Sequence, residues 1–164
     1  MSKQNVIIID YGSGNLRSAA KAFEKIANDE ALDLNVRVSS RAEDLDQADS
    51  IVLPGQGAFG DCIAGLRAVD GMVDALEHNV IDAGKPFLGI CVGMQLMASR
   101  GLEGGIHSGL GWIDGEVRPM QPDDPSLKIP HMGWNELMIP SASVAQDNSH
   151  FVLRHVKPDT HFYF

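Results

Sequence analysis

Three short apolar runs in this chain each break off at a turn that carries glycine. They are VIII at residues 6–9, IVL at 51–53 and FLGI at 87–90, and DYGSGN, PGQGAFGD and CVG follow them in that order. A run with no polar alternation has no face to give to water, so it suits a strand covered on both sides. Between the runs the period changes. Leu16, Ala19, Ala20, Phe23 and Ile26 recur at helical spacing, as do Met72, Val73, Leu76 and Val80 ahead of Gly84, and a further helix starts over residues 92–97. Val36 and Val38 mark another strand, and SRAE at residues 40–43 reads as a capping box that opens a short helix. Strands alternating with helices predict an α/β fold built on an open, mostly parallel, doubly wound sheet with right-handed connections.

After Gly101 the texture shifts to a Gly- and Pro-rich stretch. Short runs at residues 115–119, 129–139 and 161–164 read as strands of a C-terminal antiparallel section. No repeat and no long linker interrupts the chain, and 164 residues suffice for one core, so residues 1–164 are expected to form a single domain. The sequence stops at HFYF, whereas natural termini are usually polar and loosely held. More chain is therefore expected beyond Phe164, and without it the sheet would expose apolar edge.

A net charge of -9 argues against a nucleic-acid backbone or an anionic membrane as the main partner. Two cysteines, Cys62 and Cys91, make no disulfide framework, which suggests reduced thiols and a cytoplasmic setting. The first residues lack the apolar core and cleavage site of a leader, and no segment reaches the roughly 18 apolar residues that span a bilayer. No cysteine–histidine cluster has zinc spacing, so neither a metal nor another cofactor is expected.

In open parallel sheets, ligands bind outside the carboxyl ends of the strands. The three glycine-bearing turns all fall at that edge. GICVG matches the G-x-nucleophile-x-G elbow with Cys91 as nucleophile. Residues two before and two after a nucleophile crowd a sharp turn, and Gly89 and Gly93 relieve the crowding. A helix start beside the sulfur favours negative charge there, and so the reactive thiolate. The competing reading is a packing cysteine in a tight strand-to-helix turn. PGQG at residues 54–57 has the flexible backbone that can aim amides at an oxyanion, although an ordinary βα turn would look the same. GSGNLR fails the dinucleotide fingerprint because Arg17 stands at its third glycine, and it reads as a turn with Asn15 near a helix start. Cys62 has no glycine elbow and reads as a packing residue.

Four stretches, LPGQGAFGD, KPFLGICVGMQLM, GLGWIDGEV and KIPHMGWNEL, together resemble the class I (triad) glutamine amidotransferases. With DYGSGNLRS and the final HFYF, they are most similar to the glutaminase subunits of imidazole glycerol phosphate synthases. The resemblance covers nearly the whole chain and implies a flavodoxin-like three-layer fold. It implies that Cys91 attacks the side-chain amide of glutamine, forms a thioester and releases ammonia for histidine biosynthesis. Gln56, Gly57 and Val92 would offer or shape the oxyanion amides, and Gly55 and Gln95 would contact the substrate. Gln95 on a helix could equally be solvated. The implied partner is a (β/α)8-barrel cyclase, met by Asn15 and by His131, Met132, Gly133, Trp134 and Asn135, with Trp134 either an anchor or a core residue.

A cysteine nucleophile needs a base, and the base needs an orienting group. The family supplies them in a late F-x-H-P-E motif, and none of His78, His107, His131, His150, His155 and His161 is followed by Pro-Glu. The triad segment is thus expected to be missing and glutamine turnover by this polypeptide to be weak. Two other readings remain open: a related cysteine hydrolase or chaperone-like protein, and a catalytically silent docking subunit.

Overall fold

Successive residues of a strand point to opposite faces, and in the first strand both faces are apolar. That property sets the layers. In the computed structural model, which describes residues 3–124, 126–137, 156 and 160–164, four strands form a parallel sheet: β1 (Gln4–Ile9), β2 (Leu34–Ser39), β3 (Ser50–Gly55) and β4 (Phe87–Cys91). Val6, Ile8 and Val52 pack on one face with Leu16, Ala19, Ala20 and Phe23 of helix α1 (Leu16–Asp29). Ile7, Ile9, Ile51 and Leu53 pack on the other face with helices α2 (Phe59–Ala68) and α3 (Met72–Leu76). Each fully buried side chain of this size contributes about 2 kcal/mol of transfer free energy. The three-layer α/β architecture is the one predicted.

The strand order is β2-β1-β3-β4. The chain runs one way from β1 to β2 and the other way from β3 to β4, so the direction reverses beside β1, and a crevice opens there at the carboxyl ends. β4 forms the edge, with Leu88 49% and Ile90 36% exposed.

Five local features differ from expectation. Helix α2 starts within the PGQGAFGD turn and runs through a stretch for which the sequence predicts no element. Phe59, Cys62, Ile63 and Leu66, at i, i+3, i+4 and i+7, are all buried, so a helical stripe was present directly after PGQG. Ala58 supplies no side-chain cap to α2; instead the Phe59 N–H donates to the Glu103 carboxylate at 3.3 Å.

The capping box at residues 40–43 does not form. The short 3-10 helix Ala42–Gln47 has Arg41 at its N-cap, and the buried Ser39 hydroxyl accepts the Arg41 amide and donates to Asp44. The Ser39 hydroxyl, and after it the Arg37 guanidinium, hold the Asp44 carboxyl below its ordinary 3.8. A carboxyl depressed in the folded state stabilises above its unfolded pKa and loses that stabilisation as pH falls through the folded one. The melting temperature of the wild type should therefore exceed that of Asp44→Asn near neutrality, with the gap closing on acidification below about pH 4. A gap that stays constant with pH would count against this account of Asp44.

The helix expected over residues 92–97 is a single turn, α4 (Val92–Gln95). The Leu96 and Met97 carbonyls that a longer helix would need accept instead from the Leu110 and Ile113 amides, at 2.8 and 2.9 Å. The chain passes directly into β5 (Ala98–Gly101), which pairs antiparallel with β6 (His107–Ser108) and parallel with β7 (Ile113–Val117). The run expected at residues 115–119 is thus β7, with a parallel neighbour. The helix expected to end at Gly84 is α3 continued by a π-helical turn, Glu77–Asp82.

The described chain divides into two compact units, the first ending at Pro119 and the second running from Met120 to Phe164. In the second, β8 (Trp134–Glu136) pairs antiparallel with β9 (His161–Tyr163), and the Trp134 and Tyr163 rings meet edge to face at 5.7 Å. Residues 138 and 139 of the strand expected at 129–139 lie outside the described residues. Among the described residues, no helix is long and apolar enough to cross a membrane.

Candidate active site

Cys91 ends β4 and stands directly before α4, with φ 56° and ψ -119°. A side chain other than glycine rarely adopts a positive φ, because Cβ then crowds its own backbone; such residues persist where the surroundings hold them. The flanking glycines are required, and part of the crowding they relieve is mutual, since a Cβ on Gly89 would lie 2.9 Å from the Gly93 carbonyl oxygen. A Cβ on Gly89 would lie 2.5 Å from Met94 Cα. A Cβ on Gly93 would overlap the Leu53 carbonyl oxygen of β3. Gly55 completes the wedge, since a Cβ there would overlap the Gly93 amide nitrogen and sit 2.9 Å from the Tyr11 hydroxyl. Three glycines thus let the elbow lie flush on the end of the neighbouring strand, and Cys91 emerges exposed.

A cavity of about 300 Å³ receives it. The start of α1 contributes Asn15, Ser18 and Ala19, the turn after β3 contributes Pro54, Gly55 and Gln56, and β4 contributes Ile90 and Cys91. No charged side chain and no histidine lines it among the described residues. Asn15 also caps α1, its side chain accepting the Ser18 amide at 3.1 Å.

The loop after β1 braces the turn after β3. The Tyr11 hydroxyl donates to the Pro54 carbonyl at 2.8 Å; burial chiefly, with Cys62 close by, raises its pKa well above the ordinary 10.0, so the phenol keeps its proton for that bond. The Ser13 hydroxyl donates to the Gln56 carbonyl at 2.7 Å and accepts the Gln56 amide at 3.0 Å. The Cys62 thiol lies 3.4 Å from both the Ser13 hydroxyl and the Gln56 carbonyl. Cys62 is 1% exposed and belongs to the core.

The structure brings Cys91, Gly55, Gln56 and Asn15 to one cavity. Val92 is buried at the first position of α4, where its amide has no intrahelical acceptor. Gly57 follows Gln56 with φ +103°. Gln95 is partly buried at the end of α4 and does not line the cavity. His131, Met132, Gly133, Trp134 and Asn135 belong to the second unit, where Trp134 is 71% exposed and so is no core residue. Of the histidines, His78 is exposed beside Asp82 at 3.7 Å, His161 faces Glu136 at 3.5 Å, and His107 packs on Gly60. His150 and His155 lie outside the described residues. Tyr11 and Ser13 were not foreseen as site residues; only their place in a turn at the carboxyl edge pointed to them.

Comparison with known proteins points to one family. The pattern of the family described as glutamine amidotransferase class-I matches residues 7–157. A Rhodospirillum rubrum protein named imidazole glycerol phosphate synthase subunit HisH is 52% identical over 159 residues, 97% of this chain and 72% of that relative. Proteins of the same name from Agrobacterium fabrum and Brucella suis are 57% and 56% identical over 134 residues, 82% of this chain and 62% of each relative. The chain thus spans about three fifths of the latter two. A solved structure described as a crystal structure of glutamine amidotransferase superposes with a TM-score of 0.59 at 14% identity, over 79% of this chain and 62% of that one, which is a likeness of fold. A cysteine elbow at the edge of such a sheet, together with identity above one half to these relatives, means that the chain belongs to the class-I glutamine amidotransferases, in the branch of the HisH subunits.

Proposed function

We propose that this chain is the glutaminase part of an imidazole glycerol phosphate synthase, acting in the cytoplasm as one half of a heterodimer. Its relatives' names and the class-I pattern support that reading. The observation that carries it is the position of Cys91: exposed, held at positive φ, and facing the PGQG turn across one cavity. In the reaction the Cys91 sulfur bonds to the side-chain amide carbon of glutamine. The carbonyl oxygen takes negative charge, the carbon–nitrogen bond breaks, and the nitrogen leaves as ammonia after gaining a proton. Water then releases glutamate from the thioester. The Val92 amide and the turn at residues 55–57 would stabilise the charged oxygen, the kind of electrostatic support that dominates acyl transfer. Gln95 would contact the substrate.

The ammonia would pass to a (β/α)8-barrel cyclase whose lyase reaction builds the imidazole ring, with no nucleic acid or membrane involved. Asn15 and the stretch from His131 to Asn135 would meet that partner, Trp134 as anchor. The test is to measure glutamine-dependent ammonia release with purified barrel cyclase, alongside covalent labelling of Cys91 by a chloroketone analogue of glutamine. Labelling at Cys91 supports the glutaminase reading. Cyclase binding without labelling would leave only a docking subunit, and neither would sink the proposal.

A further inference from the structure

Helix α2 leaves the PGQG turn without a cap of its own, since the Ala58 side chain makes no bond there. The connection between β5 and β6 supplies what is missing. The Glu103 carboxylate accepts the Phe59 N–H at 3.3 Å, which satisfies one of the donors that a helix start leaves open. The His107 ring covers Gly60 in the same turn, so closely that a Cβ there would stand 2.7 to 3.0 Å from three ring atoms. Phe59 in turn covers Gly101 of β5, where a Cβ would overlap its ring. At the other end of the PGQG turn, Pro54 is tied by Tyr11 and Gly55 is wedged against Gly93. Between these two anchorages Gly57 has φ +103° and open space around it. The buried stripe of Phe59, Cys62, Ile63 and Leu66 selects the face that α2 turns inward, but burial acts without direction. The directional contacts with Glu103 and His107 set where the helix begins, and so the path of residues 56–58 beside Cys91. The same connection is tied to the nucleophile, because α4 runs directly into β5.

We propose that Glu103 and His107 are positioning residues for the glutaminase site: by fixing the first turn of α2 they fix the exit of the PGQG turn, and with it the backbone that faces charge developing beside Cys91. The inference rests on the glutaminase reading. Neither side chain lines the Cys91 cavity, so their effect passes through α2. Donors stabilise an oxyanion most when they need no reorientation at the moment of reaction. A loosened exit leaves the turn correctly aimed for only part of the time, while the sulfur itself is unaffected.

Two reagents, applied to the whole chain, separate this effect from thiol reactivity. A chloroketone analogue of glutamine reacts through the ketone: sulfur adds to the carbonyl carbon, an oxyanion forms, and the sulfur then bonds the adjacent carbon as chloride leaves and the carbonyl re-forms. Iodoacetamide is attacked directly at carbon with loss of iodide and forms no oxyanion. The chloroketone rate at saturation, divided by the iodoacetamide rate, therefore reads oxyanion support at Cys91. Glu103→Ala and His107→Ala should each lower that ratio about 2- to 10-fold, with the affinity for the chloroketone and the iodoacetamide rate unchanged. Glu103→Gln, whose side-chain oxygen still accepts the Phe59 N–H, should match the wild type. Gly60→Ala, which pushes the His107 ring off its seat, should match His107→Ala, and combining the two should lower the ratio no further. Glu103→Gln as slow as Glu103→Ala, or a loss of affinity in place of a loss of rate, would mean that the carboxylate acts on the reagent itself, and the inference would fall. Level ratios in both Glu103→Ala and His107→Ala would overturn it as well. A wild-type ratio no higher than that of free cysteine would strike down the glutaminase reading, and the inference with it.

Discussion

Gly93→Ala is expected to cost the chain most of its stability. The added Cβ would overlap the Leu53 carbonyl oxygen and stand 2.7 Å from the Leu53 carbonyl carbon and 3.0 Å from that of Pro54. All three atoms are backbone of a central strand, paired in register with β4 through Leu53 to Gly89 and Pro54 to Ile90. A side chain can swing away from an intruding methyl group, and overpacking then costs about 1–3 kcal/mol. This end of the strand is held by the ladder to β4 and by the Tyr11 bond to Pro54 and cannot move without parting them, so a loss above about 3 kcal/mol is expected, from a total of roughly 5–15. Gly57→Ala is the matched comparison. Nothing lies within 4 Å of its Cβ, and only its φ of +103° opposes the change, for about 1–2 kcal/mol. Urea unfolding midpoints of the two variants should therefore differ widely. Equal midpoints would show that the elbow is not seated on β3 as described.

Cys91→Ala is expected to abolish labelling by the glutamine chloroketone and to lower any glutamine-dependent ammonia release on the order of 10³-fold or more. No second thiol can take over, because Cys62, the other cysteine, is buried in the core. Folding should survive, since the position is exposed and its backbone is held by the Gly89, Gly93 and Gly55 contacts rather than by the sulfur. A further comparison tests whether the elbow stores strain. Cys91→Gly relieves the positive φ that Cys91→Ala retains, so it should be the more stable of the two by about 1 kcal/mol. Residual labelling in Cys91→Ala at the wild-type rate would remove the nucleophile from this account.

Much of the site was readable before any coordinates. GICVG and PGQG are local patterns, and each describes a turn whose chemistry depends on residues within a few positions. The strand runs were equally plain because burial on both faces leaves no polar alternation to confuse. Three errors share one cause. Helix α2 was hidden because PGQGAFGD reads as punctuation, although its first turn is stabilised by the carboxylate of Glu103, far along the chain. The helix after Cys91 was drawn too long because Leu110 and Ile113, which claim its carbonyls, are not local to it. SRAE offers Ser40 as a cap, whereas it is the hydroxyl of Ser39, buried at the end of β2, that accepts the Arg41 amide.

Residue order by itself determined the strands, the α/β class and the bend that presents Cys91, because these follow from periodicity and from the few residues that tolerate a sharp turn. Tertiary structure alone decided what Gly93 avoids, which hydroxyl holds Gln56 and where Tyr11 reaches. Ser13 and Gln56 are 43 residues apart, and their meeting is set by β1 and β3 lying side by side. Hydrophobic burial selects which face of an element turns inward and acts without direction; hydrogen bonds and close contacts are directional and short, so they become defined only once the strands are in register.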